Sequence, residues 1–283
     1  MMFTLKVRNK YDEELEISNN PAYSIVSVDG IDPPESTINT THNAGADGSV
    51  FNSAFINERT ITITLAINYP AEANRLNLYR YFKSKFPVRL FYKNKRRDVY
   101  IDGYVQSFQI AYFDQKQTAQ IVIYCPLPMF NNVNDNIQEF SNIEPLFEFP
   151  FDIDEPGIEF SVIIPNNEKA IINKGDMDTG VIISIKAVGS VITPKIYNVD
   201  TNESMILNVS MISGDEIIID TRQGHKSIKM ISGDTTTNII GTLDHASSWF
   251  VLKPGDNVFT LDADALPENM IVVFTVIDQF EGV

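Results

Sequence analysis

Met211-Ile212-Ser213-Gly214-Asp215 recurs letter for letter as Met230-Ile231-Ser232-Gly233-Asp234, and a further Gly-Asp stands at Gly255-Asp256. Glycine accepts positive φ without a Cβ penalty, and the aspartate bonds to nearby amides, so each pair signals a chain reversal. Aliphatic runs such as Ile217-Ile218-Ile219 lie between the turns. Three such turns predict a β-meander. Residues 211 and 230 are spaced as successive strand–turn units are, not as ligands of one coordination shell.

Alternation extends the β reading across the chain. In Arg59–Asn68, Ile61, Ile63, Leu65 and Ile67 alternate with Thr60, Thr62, Thr64 and Ala66, which gives one buried face. Further strands are expected at 2–7, 23–28, 88–92, 98–105, 107–112 and 118–125, with Leu15 and Ile17 pairing with the first. Residues 31–53 read as a long polar loop or an extended hairpin, rich in turn residues including Asp47-Gly48. One helix is expected. Pro70 opens it, Ala71, Leu78, Tyr79, Phe82 and Phe86 share its buried face, and Pro87 ends it. From residue 158 onward only strands and turns are expected, at 158–164, 181–188, 195–198, 204–211, 216–221, 226–231, 249–252, 257–260 and 270–277. That spacing suggests a β-sandwich.

The chain has 283 residues, enough for two domains. The expected division is an α+β domain over 1–130, a linker over 131–157 that inserts Phe140, Phe147, Phe149 and Phe151, and the β-sandwich over 158–283. Charge separates the halves. Residues 1–130 carry 14 Lys+Arg against 13 Asp+Glu, and residues 131–283 carry 8 against 24. Arg75–Arg97 holds nine basic residues and no acidic one. Asymmetry of this kind marks a partner or a stacking surface. Interleaved aromatics in that stretch admit a nucleic-acid reading, but an acidic chain with core-periodic aromatics favours a protein partner.

Little in the sequence points to a reaction. The single cysteine, Cys125, excludes an internal disulfide and any CxxC metal motif, and its apolar setting predicts a buried thiol. His42, His225 and His245 have no ligand spacing. Asp244, His245, Ser247 and Ser248 lack the strand–elbow–helix setting of a nucleophile. Asp152, Asp154 and Glu155, like Asp262 and Asp264, lie in loop-like segments. No phosphate-binding glycine loop or calcium loop is present. Neither catalytic nor metal residues nor a cofactor are therefore expected. No run is apolar enough to span a membrane, and the N-terminus has no signal-peptide core, which predicts synthesis in a cytoplasm. Trp249 reads as core or interface rather than a sugar platform.

Taken in order, Gly214-Asp215 with Ile217–Thr221, Asn238, Leu243, and Ser247-Ser248-Trp249-Phe250-Val251-Leu252-Lys253-Pro254-Gly255-Asp256-Asn257 resemble the C-terminal domain of siphophage distal tail proteins. The Val28-Asp29-Gly30 turn, the loop with Asp47-Gly48-Ser49, the strand 59–68, the helix, and the pair 88–92 and 98–105 with Gly103 resemble the N-terminal half of that family. The resemblance implies a mainly β chain. Its N-terminal domain would form a hexameric ring around a channel, and a galectin-like sandwich would project outward. It further implies contacts with the tail tube protein, the lysin-like tip or hub protein and a receptor-binding protein, with DNA met only in passage and no membrane. The implied location is the baseplate or tip of a virion. Without a large insert the chain is similar to the plain form, which lacks the carbohydrate-binding module. The expected interface residues are Arg75, Arg80, Lys93, Lys95, Arg96, Arg97, Asp47 and Gly48. A carbohydrate-binding receptor module is the alternative, and it requires exposed aromatics beside polar groups on the second domain.

Overall fold

The computed structural model describes residues 3–45, 47–112, 116–141, 143–145, 161–163 and 168–283. The chain is mainly β, and its one α-helix among the described residues lies in the first of two compact units. The first unit runs to Asn134 and is completed by Gln279–Val283, and the second is Asp135–Asp278. No helix among the described residues is long and apolar enough to cross a membrane.

The first unit contains strands β1 (Thr4–Asn9), β2 (Glu14–Glu16), β3 (Tyr23–Asp29), β4 (Ser36–Thr41), β5 (Val50–Ile56) and β6 (Arg59–Ile67). Helix α1 (Ala71–Tyr81), β7 (Pro87–Lys93), β8 (Asp98–Ala111), β9 (Thr118–Cys125) and β10 (Phe130–Asn132) follow. The main sheet has the order β2-β1-β7-β8-β9-β6-β3. The alternation in β6 works as its sequence implies: Ile61, Ile63 and Leu65 are fully buried. Each such side chain contributes roughly 1.5–3 kcal/mol of burial free energy. Instead of two strands over 98–112 there is one fourteen-residue strand, β8, irregular between Val105 and Ser107. A bulge lets one long strand change neighbours, and β8 pairs β7 along its first half and β9 along its second.

Helix α1 is shorter than its apolar spacing predicts. It closes at Phe82, whose N–H bonds to Leu78 O, and Lys85 then takes a left-handed φ of 70°. Leu78 and Phe82 are buried as expected, but Phe86 leaves the helix and meets Tyr11 edge to face at 6.5 Å. Pro87 therefore opens a strand rather than ending a helix.

The second unit holds β11 (Asn136–Ser141), β12 (Ile143–Pro145), β13 (Ser161–Ile163), β14 (Glu168–Asn173), β15 (Val181–Ala187), β16 (Val191–Asn198), β17 (Glu203–Ile206), β18 (Ser210–Met211), β19 (Glu216–Asp220), β20 (Ser227–Ser232), β21 (Thr235–Asn238), β22 (Gly255–Ala265) and β23 (Met270–Val276). One sheet runs β11-β23-β15-β19-β20-β21, and the other runs β14-β22-β16-β17 with β18 beside β16. Their inner faces share one core, in which Phe259 lies 5.3 Å from Phe250 and 5.0 Å from Phe274. This is a β-sandwich. Residues 131–157, expected as a linker, supply β11 on the edge of β23, with Phe140 fully buried in the core. The remaining aromatics of that stretch, Phe147, Phe149 and Phe151, and most of the strand expected at 158–164 lie outside the described residues. The strand β24 (Gln279–Phe280) leaves the sandwich and pairs with β10.

The repeated pentapeptide occupies two different settings. Gly233-Asp234 is a tight hairpin between β20 and β21, with Gly233 at φ +56°. Gly214-Asp215 instead joins β18 of one sheet to β19 of the other, with Gly214 at φ +93°. Only the later turn belongs to a meander, β19-β20-β21.

Candidate assembly surfaces

Residues 31–57 form an arm. Among the described residues its strands β4 and β5 pair only with each other, from Ser36↔Ile56 to Thr41↔Val50, and are irregular between Asn39 and Thr40. Ile38, Val50, Phe51 and Phe55 on this arm are between 53% and 63% exposed. The pairing register puts Ile38, Ala54 and Phe51 on one face and Phe55 and Val50 on the other, so both faces carry apolar groups. An isolated two-stranded hairpin is marginal in water. An apolar one without a third strand is built to be covered. Asp47 and Gly48, two of the expected interface residues, are exposed in the loop at its tip. There Gly48 O lies 3.1 Å from His42 Nδ1.

A second open element lies beside it. Strand β3 pairs with β6 alone, which leaves one edge of Tyr23–Asp29 without a neighbouring strand among the described residues. Val26 on it is 62% exposed. The strand contains no lysine or proline of the kind that blunts an edge.

The basic run is largely consumed within the unit. Arg80 pairs with Glu13, with Nε to Oε2 at 3.0 Å, and hydrogen bonding to Arg80 holds the Glu13 carboxyl below the usual carboxylate range. Arg89 binds Asp102 through two bonds of 2.7 and 2.9 Å, and Lys93 meets Asp98 at 2.6 Å. The Arg75 guanidinium lies 5.0 Å over the Tyr112 ring and 3.7 Å from Glu72. Arg97 stacks 4.0 Å over Phe280. Lys95 and Arg96 are the exposed pair, at the tip of the β7–β8 turn, where Asn94 Oδ1 accepts the N–H groups of Arg96 and Arg97. Several of the expected cations are therefore engaged within the unit. Periodicity could not reveal this, because Glu13 comes from the β1–β2 turn, far away in sequence, and Asp98 and Asp102 meet their partners only through the register of the β7–β8 hairpin.

The fold also assembles a cation–aromatic cluster that no sequence motif marks. Lys10 and Lys83 sit 5.2 and 6.0 Å from the centre of the Phe86 ring, and Lys83 lies 5.3 Å from that of Tyr11, which is 58% exposed. The only signal for it was the aromatic interleaving of the basic stretch.

Of the residues considered for chemistry, Asp152, Asp154 and Glu155 lie outside the described residues, and Asp262 and Asp264, expected in a loop-like segment, lie in β22. Ser247 Oγ accepts the Ile206 N–H, and Asp244 accepts from Ala246, which makes this segment a turn. Asp264 pairs with Lys195 at 2.6 Å. Cys125 is fully buried, and burial pushes its thiol up to about 12. Trp249 is half-buried against the sandwich core beneath the Lys226 ammonium at 5.4 Å.

Two β-rich units in series, the first bearing an exposed apolar arm and an open edge, define a mainly β protein with surfaces suited to assembly. Comparison with known families says which. Residues 9–125 match a phage tail protein RIFT-related domain, and residues 174–275 match the C-terminal domain of the siphovirus-type tail component. The fold is similar to the crystal structure of the Dit protein of phage SPP1, described as a paradigm of the hub adsorption apparatus in phages infecting Gram-positive hosts. The TM-score is 0.70 at 12% identity, covering 99% of this chain and 100% of that one. It is also similar to a chain of the phage P2 baseplate in its activated conformation with Ca, with a TM-score of 0.56 at 13% identity and full coverage of both chains. No curated protein matches in sequence. The chain belongs to the siphophage distal tail proteins, and is a structural component of a phage tail.

Proposed function

We propose that this chain assembles head to tail into a hexameric ring at the distal end of the tail, joining the tail tube to the tip or baseplate proteins during host attachment. The arm carries this reading. Its apolar faces and the open edge of β3 are two different surfaces of one unit. A contact between different surfaces of identical copies is heterologous, and it closes into a ring when the rotation allows. Strand addition to β3 supplies main-chain bonds, and Ile38, Phe51 and Phe55 supply burial. Lys95 and Arg96 serve electrostatic registration against a neighbouring subunit or an adjoining tail protein. Such a particle is made in the host cytoplasm and acts as a scaffold rather than a catalyst.

Light scattering on the purified protein tests this. Wild type is expected at six times the chain mass, and Phe51→Asp or Phe55→Asp at one chain mass with an unchanged fold. A wild type monomeric at every concentration overturns the self-assembling ring. A ring indifferent to both substitutions overturns the arm as its contact.

A further inference from the structure

We propose that Arg59 and the returning segment Gln279–Val283 form the mount that sets the direction of the arm, which makes Arg59 a positioning residue for assembly. The inference rests on the reading of the arm as an assembly contact. Arg59 opens β6 and is only 3% exposed. Its guanidinium donates to four main-chain carbonyls drawn from three segments. Nη1 reaches Gly30 O at 2.8 Å and Asp32 O at 2.7 Å, Nε reaches Pro128 O at 2.8 Å, and Nη2 reaches Glu281 O. Its flat face lies 4.7 Å from the ring centre of Phe130, which is fully buried. Burial is the main influence lowering the pKa of Arg59. A buried cation is retained where its fork satisfies several acceptors at once, and here the acceptors are parts of the chain to be joined.

The joined parts are the strap beneath the arm and the segment returning from the sandwich. Gly30 and Asp32 belong to the stretch between β3 and β4. Gly30, at φ +84°, presses so closely on β6 that an added Cβ would lie 2.1 Å from Thr60 O. The strap ends where Asn57 N–H bonds to Glu35 O at 2.9 Å, which closes the root of the arm. From the other side, β24 pairs with β10 through Phe130↔Phe280 and Asn131↔Gln279, and the side chain of Gln279 bonds to that of Asn131 at 2.9 Å. Beyond it Val283 N–H reaches Ile31 O at 3.3 Å, and Gly282 lies against Pro33. The strap is thus gripped by Arg59 and closed over by residues that follow the whole second unit in sequence. A chain that lacks residues 279–283 cannot complete the mount.

Hydrogen exchange on the full chain reads this directly. A Phe51→Asp background removes ring protection from the comparison. On it, removal of residues 279–283 is expected to speed exchange of segments 31–38 and 53–58 at least tenfold, with β7 and β8 changed less than twofold. Arg59→Gln should give the same pattern. Unchanged exchange in the two arm segments overturns the proposal, as does an equal rise across β6 to β9, which marks only a loosened unit. If wild type proves monomeric, the ring reading falls while this comparison still stands.

Discussion

The duplicated pentapeptide makes an internally controlled experiment. Asp215 and Asp234 follow identical residues, yet Asp215 is 4% exposed and Asp234 lies at an exposed hairpin. Asp215 Oδ2 accepts the Ile212 N–H at 2.9 Å, its own N–H bonds to Ile212 O at 3.0 Å, and Gly214 N–H bonds to Ala187 O at 2.9 Å. Asp215→Ala deletes a hydrogen bond to a charged acceptor, worth about 1.5–3 kcal/mol. Ile212 is 65% exposed, so water can replace part of the loss and the lower end, about 1.5 kcal/mol, applies. A cooperative unit of roughly 140 residues unfolds with an entropy near 0.3 kcal/mol/K, so the melting temperature should fall by about 5 °C. Asp234→Ala should stay within about 0.5 kcal/mol, or under 2 °C, as solvent-exposed substitutions do. Differential scanning calorimetry of the two variants decides the matter. Equal losses would refute the claim that tertiary position, not local sequence, sets the worth of each turn.

Two further outcomes follow from titrating groups. Hydrogen bonds lower the carboxyls of Glu13 (from Arg80) and Asp264 (from Lys195); at Asp220 burial opposes the shift, but the bonds from Arg222 outweigh it. Folded values below unfolded ones mean that this stability is complete above the ordinary carboxylate range near pH 4 and is lost as pH falls through the folded values. Melting temperature should therefore decline below about pH 4, and a flat or rising profile there contradicts the pairing. Cys125, with its thiol pushed up to about 12, should resist an aromatic disulfide reagent at pH 8 until denaturant is added. Labelling of the native protein within minutes would place the thiol at the surface.

Strand periodicity was readable because a sheet with one wet face writes its burial into alternate residues, as in β6, β9 and β15. The strands that escaped reading are those whose partner rather than whose pattern makes them strands. Strand β21 is Thr-Thr-Thr-Asn, exposed throughout and held by β20. Strand β11 lies in a stretch of asparagine and proline, and joins the sandwich because β23 offers an edge. Spacing alone overextends the helix, because Phe86 keeps the helical period while its side chain packs on Tyr11 beyond the helix end. Of the expected interface residues, Asp47, Gly48, Lys95 and Arg96 stand exposed on turns, while Arg80 is tied to Glu13, distant in sequence, and Lys93 to Asp98 across the β7–β8 hairpin.

The sequence by itself determined the class of this protein. Alternating Ile and Thr, Gly-Asp turns, one cysteine and the order of short motifs admit a β-rich tail component and offer no chemistry, because these are local properties of side-chain period and backbone permission. Tertiary structure alone decided the rest. It buried one Asp of a repeated pentapeptide and exposed the other. It tied several of a run of nine cations to acids and rings within the unit, and it brought residues that follow the sandwich in sequence back to Arg59. Each of these depends on which distant strand arrives alongside, and pairing between strands is a contact that no local pattern encodes.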